Sequence, residues 1–186
     1  SISTVMTHGP GAIDEIATRF WEDYLRLSPT TATVYGDDRY DDRLDDPGPA
    51  GRAAARALAE RVGREAAEVP PEDLSVEDRI TRDMLGIVAD LAIESDDLAF
   101  RELSTLSHID GAQTLLAQLA VFQAADTPER LDNWLARLHG YGAFLDANIE
   151  ILRDGMTSGR TSARIVAERT IRQLEGLVAQ PVAESP

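Results

Sequence analysis

Apolar residues recur along most of the chain at the three- and four-residue spacing of amphipathic helices, and the alternation typical of strands is almost absent. In residues 12–27 the apolar positions form one stripe, made of Ile13, Ile16, Phe20, Tyr24 and Leu27. This stripe predicts a first helix with one buried face. Ser28 and Pro29 then predict the N-cap and first residue of a short second helix, residues 29–35, which stops at Gly36.

The next two helices are predicted from composition and from a capping signal. Residues 50–69 are rich in Ala, Arg and Glu, which favour helix, and two prolines end the segment. Ser75 followed by Asp78 resembles a capping box that opens a helix to about residue 95. The buried stripe of that helix is expected to consist of Ile80, Met84, Ile87 and Leu91. Residues 96–110 are less regular, and we expect them to run extended.

The second half of the chain carries the longest apolar pattern. Residues 111–123 are apolar on nearly every side, which places them in the middle of the core. Thr127 and Pro128 then open the longest helix, to about residue 154. Its seam consists of Leu131, Leu135, Leu138, Leu145, Ile149 and Leu152. Trp134 and Tyr141 widen this face, so we expect the helix to be covered on two sides. Residues 155–159 break it, and Thr161 or Ser162 caps a last helix to about residue 180.

These elements predict an all-α fold, an antiparallel bundle of about six or seven helices. No internal repeat of 20 to 50 residues is present. We expect residues 1–11 to be a flexible N-terminus and residues 12–180 to be a single helical domain. Residues 181–186 form a tail without structural signal.

Charge and composition exclude several classes of partner and chemistry. The formal charge is −15, from 18 cations that are all arginine and 33 acidic residues. Such a surface repels phosphate, so neither a nucleic acid nor an anionic membrane is an expected partner. The absence of cysteine excludes disulfides, thiolate metal sites and cysteine nucleophiles. Because neither a signal peptide nor an apolar run long enough to span a membrane is found, the expected location is cytoplasmic.

The histidines do not form a recognisable metal or catalytic motif. His8, His108 and His139 each lack a Glu or His three or four residues away, whereas a zinc helix of the HExxH type needs two imidazoles one turn apart. We therefore expect no catalytic residue, metal ligand or cofactor in this chain. His139 is expected to be a partly buried packing residue. His108 is expected to stabilise a turn, with a ligand contact as the alternative.

An acidic loop, residues 36–46, holds six aspartates within eleven residues. Arg39 and Arg43 are interleaved with them and can neutralise them locally. The favoured interpretation is a solvated, self-paired loop. Two alternatives stay open, namely a site for calcium or magnesium and a substrate contact at the edge of a cleft.

Four stretches, residues 20–44, 74–81, 141–159 and 161–174, together resemble the N-terminal region of the DUF885 family. The GDDRYDDRL stretch within the first is unusual in composition and position. Members of this family are bacterial proteins of poorly defined function, similar to helical zinc metallopeptidases of the angiotensin-converting-enzyme and thermostable-carboxypeptidase type. Family members are usually much longer, and their HExxH helix lies in the C-terminal part.

The resemblance implies that this chain is the non-catalytic N-terminal part of a larger, helical, metallopeptidase-like fold and forms one wall or lid of its substrate cleft. Zinc would be bound by the C-terminal part. The implied partners are that catalytic part, or a second copy docked through an exposed apolar face to form a homodimer, and a peptide substrate. By analogy, the residues expected to contact the cleft are Asp37, Arg39, Tyr40, Asp41, Arg43, His108, Asp110 and Gln113. The alternative is a stand-alone helical interaction or regulatory domain without catalysis.

Overall fold

The computed structural model describes residues 11–181, apart from the side chain of Asp73, and within this range it forms eight α-helices and no strand. The helices are α1 (Ala12–Leu27), α2 (Pro29–Val34), α3 (Pro49–Glu68), α4 (Val76–Asp97), α5 (Phe100–Ser104), α6 (Leu115–Phe122), α7 (Pro128–Ser158) and α8 (Arg164–Ala179). The predicted all-α class is confirmed. The additional helix is α5, which lies in the segment that was expected to run extended.

Some residues for which the sequence makes predictions lie outside this range. His8, most of the predicted flexible N-terminus and most of the tail lie outside the described residues. Within the range, none of the helices is both long and apolar enough to cross a membrane.

Three helices start where their capping residues predict them. Pro29 is the first residue of α2 and follows Ser28 directly. At the start of α4, the Ser75 hydroxyl accepts the Asp78 amide at 3.1 Å and donates to the Asp78 carboxylate at 2.8 Å. The first of these bonds satisfies a backbone donor that the first turn of a helix leaves free. Thr127 caps α7 in the same way, since its hydroxyl accepts a backbone amide of the first turn.

The hydrophobic core lies between α1, α3 and α4, which pack against one another. Its fully buried members are Ile13, Ile16, Val62, Ala66, Val69, Leu85 and Ala89. Close packing is helped by Gly63 of α3, where an added Cβ would lie 3.2 Å from the Cβ of Ala89. The first half of the chain therefore supplies most of the buried apolar surface.

Helix α7 continues beyond its predicted end because Gly155 does not break it. Gly155 is buried where α5 packs on α7, and an added Cβ there would lie 3.4 Å from Glu102. Gly155 thus permits close packing of the two helices. The helix ends instead at Gly159, whose φ of 77° lies in the left-handed region that favours glycine. The predicted cap of α8 is also wrong. Ala163 precedes that helix, and the Ser162 hydroxyl donates instead to the Leu103 carbonyl at 2.8 Å.

The predicted buried stripe of α4 is exposed. Ile80, Met84, Ile87 and Leu91, here called the α4 stripe, are 60%, 52%, 51% and 60% exposed. The helix packs on α1 and α3 with another face, on which Leu85 and Ala89 are buried. The periodicity correctly identified an apolar face, but α4 has two such faces, and the one with Leu85 and Ala89 faces the core.

Three further burial predictions are wrong for a related reason. Helix α6 was placed in the middle of the core, but of its residues Leu119 is buried while Val121 and Phe122 are exposed. The seam of α7 was expected to be covered on two sides, yet its residues Leu131, Leu135, Leu138 and Ile149 are each more than one third exposed. His139, expected to be partly buried, is exposed. In each case the described residues offer too few apolar partners to cover these faces.

Candidate functional site

The acidic loop begins with a charged cluster on the surface. Asp37 caps a short 3-10 turn, and its carboxylate accepts the Arg39 amide at 3.2 Å. The Arg39 guanidinium also donates to Asp37, at 2.5 Å and 2.9 Å, and to Glu22 of α1, at 2.7 Å and 3.2 Å. The hydrogen bonds to Asp37 raise the pKa of Arg39 most, followed by those to Glu22, and the bonds from Arg39 lower the pKa of Asp37. Both groups are therefore held in their charged forms.

Tyr40 lies between two arginines of the same loop. The guanidinium carbons of Arg39 and Arg43 lie 5.4 Å and 5.2 Å from the centre of its ring, within the range of cation–π attraction. Arg43 also pairs with Asp42 at 3.2 Å. This part of the loop agrees with the self-paired interpretation, since its carboxylates and guanidinium groups neutralise one another.

Asp41 departs from the expectation of a solvated loop because it points into the protein. It is 6% exposed, and its carboxylate accepts the Thr33 hydroxyl at 2.6 Å. Its backbone carbonyl accepts the side-chain amide of Gln123 at 2.9 Å. Its nearest cation is Arg137 of α7, at 3.8 Å. Asp41 thus anchors the loop to α2, α6 and α7.

Arg137 is the centre of this anchor, and the sequence analysis missed it. The residue is 0% exposed. Its guanidinium donates to five groups, the Gln123 side-chain oxygen at 2.5 Å, the Arg43 carbonyl at 2.7 Å, the Thr33 hydroxyl at 2.9 Å, the Tyr40 carbonyl at 3.1 Å and, more weakly, the Pro29 carbonyl at 3.5 Å.

Burial lowers the pKa of Arg137, and the nearby Asp41 charge opposes this effect. A signal for this residue was present in the sequence. Arg137 lies three residues after Trp134 and four before Tyr141, so a cation stands on the wide apolar face of α7.

A polar cavity of about 640 Å³ lies between the acidic loop and the start of α7. It is lined by Asp38, Arg39, Asp42, Arg43, Thr127, Glu129, Arg130 and Asn133. Arg130 is paired with Asp126 at 2.8 Å and lies 3.7 Å from Asp38. The cavity therefore offers ion-pair and hydrogen-bond partners of both signs.

The second loop, residues 107–113, holds the other three predicted contacts. The Ser107 hydroxyl bonds the Asp110 carboxylate, and Gln113 donates to the Ser107 carbonyl at 2.7 Å and to Gln173 of α8 at 3.0 Å. Arg169 of α8 lies 3.3 Å from the Nε2 of His108. Because arginine can only donate, this nitrogen accepts the bond. The turn is therefore stabilised by Ser107 and Gln113, whereas His108 connects the loop to α8.

The two loops are attached to neighbouring turns of the same face of α7. Arg137 holds the acidic loop, and the Tyr141 hydroxyl donates to the Ala112 carbonyl of the second loop at 2.5 Å. Residues four apart on a helix have Cβ atoms about 5–6 Å apart. Between residues 11 and 181 no hydrogen bond or ion pair joins the loops directly, and no cluster of three or more His, Cys, Asp or Glu residues could hold a metal.

The sequence was also compared with known proteins. The DUF885 family model, described as a bacterial protein of unknown function, matches residues 29–186. No curated protein matches the chain. The matched range includes the acidic loop, Arg137 and the second loop. Since it also covers far more than half of the sequence, the chain belongs to the DUF885 family.

Proposed function

We propose that this chain is the non-catalytic helical part of a zinc-dependent, peptidase-like protein. In this proposal it forms one wall or lid of the substrate cleft and docks on a catalytic part elsewhere in the same protein. The observation that carries the proposal is the α4 stripe, a row of large apolar side chains on one side of a core helix. Rows of this kind on a protein surface mark interaction sites.

The α4 stripe contributes a sizeable free energy when it is covered. Its four side chains are 51% to 60% exposed. Complete burial of such a side chain contributes about 1.5–3 kcal/mol, so burying the exposed half of each contributes about 3–6 kcal/mol for the stripe. This is enough to favour docking of a part that is already tethered by the same chain.

Helix α8 presents a second unpaired apolar face. Thr170 is its only fully buried residue. Its exposed apolar residues are Ile165, Ile171, Leu174, Leu177 and Val178. The helix is held to the second loop mainly by polar contacts, through Gln173 and Arg169. A helix with so little cover within the described residues fits a role at an interface with another part of the protein.

The two loops suit the edge of a peptide-binding cleft. They are attached side by side on α7, through Arg137 and Tyr141. Arg39, Tyr40 and Arg43 lie at the surface of the acidic loop and can contact the carboxylates and carbonyls of a peptide. In this proposal Asp41 holds the loop in place and the substrate meets the exposed side chains.

The first test is to read the gene beyond the codon for Pro186. We expect the frame to continue and to encode an HExxH motif on a predicted helix. The intact protein should then hydrolyse peptides in a zinc-dependent manner, while the 186-residue chain should hydrolyse none. An immediate stop codon would favour the alternative, a stand-alone interaction or regulatory domain.

The role of the acidic loop is tested in the intact protein. Arg43→Gln should raise KM for a peptide several-fold with little change in kcat, because a surface contact contributes to binding. Arg153→Gln is the matched control, since this exposed arginine of α7 pairs with Glu150 away from both loops. Equal KM values for the two variants would exclude the acidic loop from the cleft.

A homodimer through the α4 stripe would be detected by sedimentation of the 186-residue chain.

A further inference from the structure

A separate apolar cavity lies between α1, α3, α4 and α7. Its volume is about 430 Å³, within the range of about 300–1,000 Å³ that is typical of small-molecule sites. The floor consists of Leu58, Ala59, Val62 and Ala89, all at most 8% exposed. An apolar cavity with such a floor favours hydrocarbon over water.

Carboxylates stand at one side of the cavity. Asp45 and Asp46 of the acidic loop both line it. The Asp45 carboxylate accepts the amide and the hydroxyl of Thr30, at 3.0 Å and 2.9 Å, and both bonds go to Oδ1. Among the described residues no hydrogen bond reaches its other oxygen, Oδ2. Arg52 also lines the cavity, but its charge is compensated by a bond to Asp96.

The surroundings of Asp45 favour a cation as its partner. Burial raises the pKa of Asp45, and the hydrogen bonds from Thr30 and the charge of Arg137 offset this effect only in part. The aromatic rings of Phe20, Tyr24 and Phe144 line the same cavity, and aromatic faces attract ammonium groups. The net charge of −15 attracts cations over anions as well.

We propose that this cavity binds a small apolar ammonium compound, an aliphatic or aromatic amine. Its hydrocarbon part lies on the floor formed by α3 and α4, and its ammonium group bonds Asp45 among the aromatic rings. The ammonium donates to the Asp45 carboxylate, and the hydrocarbon displaces water from a surface that water solvates poorly.

The experiment is an NMR titration of the 186-residue chain with 4-phenylbutylamine and with 4-phenylbutanol. The two probes share their hydrocarbon part and differ in charge. We expect saturable shifts at the backbone amides of Ala59 and Ala89, with the amine binding at least tenfold more tightly than the alcohol. Equal binding of both probes, or no saturable shift with the amine, would overturn the proposal.

Three variants locate the binding. Asp45→Asn keeps an oxygen acceptor for Thr30 and removes the charge, so it should lower amine affinity at least tenfold and leave alcohol binding unchanged. Asp146→Asn, at an exposed carboxylate of α7 that does not line the cavity, should change neither. Ala55→Leu narrows the exposed mouth and should weaken both probes, which gives a second criterion if Asp45→Asn does not fold. Full amine affinity in both Asp45→Asn and Ala55→Leu would overturn the assignment.

Discussion

Replacing the buried Arg137 with methionine tests whether one side chain holds the acidic loop to the helices. The change removes the donor for five acceptors and leaves the buried Asp41 without its cation. A buried polar group without a partner costs about 1–3 kcal/mol, and breaking a buried ion pair from one side costs about 3–5 kcal/mol. These costs overlap, because the loop can relax toward water. We therefore expect Arg137→Met to lower the free energy of unfolding by about 3–5 kcal/mol.

The assay is urea unfolding followed by circular dichroism, with thermal unfolding alongside. For a chain of this size, a loss of 3–5 kcal/mol lowers Tm by roughly 6–20 °C. The control is Arg153→Met, whose side chain is 67% exposed and which should stay within about 0.5 kcal/mol of the parent. Asp41→Asn should lower the unfolding free energy less in the Arg137→Met variant than in the parent, because the two residues share one hydrogen-bond network. A loss below about 1 kcal/mol for Arg137→Met would refute the reasoning.

Two further changes probe packing and pH dependence. Gly155→Ala should destabilise the chain by about 1–3 kcal/mol, because the new Cβ would lie 2.4 Å from the Arg160 carbonyl oxygen. Gly142→Ala is the control in the same helix. It should stabilise the chain by about 0.5–1 kcal/mol, because no atom lies within 4 Å of its added Cβ. Equal effects in urea unfolding would contradict this packing. The hydrogen bond from Arg52 holds the pKa of Asp96 below its ordinary value of 3.8. A carboxylate whose pKa is lowered in the folded state stabilises the fold above pH 3.8, and this contribution is lost as the pH falls further. Between pH 6 and pH 3 the unfolding free energy should therefore fall more steeply for the parent than for Asp96→Asn. Parallel curves of unfolding free energy against pH would exclude a contribution from Asp96.

Helix positions could be predicted because their signals are local. Pro29, Ser75 and Thr127 mark helix starts through φ preference and through hydrogen bonds within the first turn. These effects need no knowledge of distant residues. The exception at Gly155 has a physical reason, because a glycine that permits close packing looks the same in sequence as one that ends a helix.

The burial of helix faces could not be predicted in the same way. A stripe such as Ile80, Met84, Ile87 and Leu91 shows that a face is apolar, but it contains no information on what covers that face. In α4 the core contacts are made by Leu85 and Ala89 instead. The apolar faces of α6 and α7 were also assigned to the core, and much of their surface is exposed. Periodicity identifies candidate interfaces, and their partners depend on the tertiary arrangement.

The sequence predicted most residues of the candidate site, but only part of the way in which they are arranged. Its pairing of Arg39 with Asp37 is local and follows from their spacing. The inward orientation of Asp41 depends on Arg137, which is 96 residues away in sequence. A buried arginine has no sequence signature beyond its place on an apolar face, so the link between the two could not be derived from spacing.

The most direct test of the central claim is to compare Ile87→Asp in the 186-residue chain and in the intact protein. In the chain alone Ile87 is 51% exposed, so the change removes only the half-burial of one side chain and should lower the unfolding free energy by about 1 kcal/mol. In the intact protein the α4 stripe would be covered, and burying an unpaired charge there should cost about 3 kcal/mol or more. Val121→Asp, on α6 where the side chain is 77% exposed, serves as the control away from the stripe. A large loss for Ile87→Asp that appears only in the intact protein is the result that we predict, and an equally small change in both proteins would contradict docking through α4.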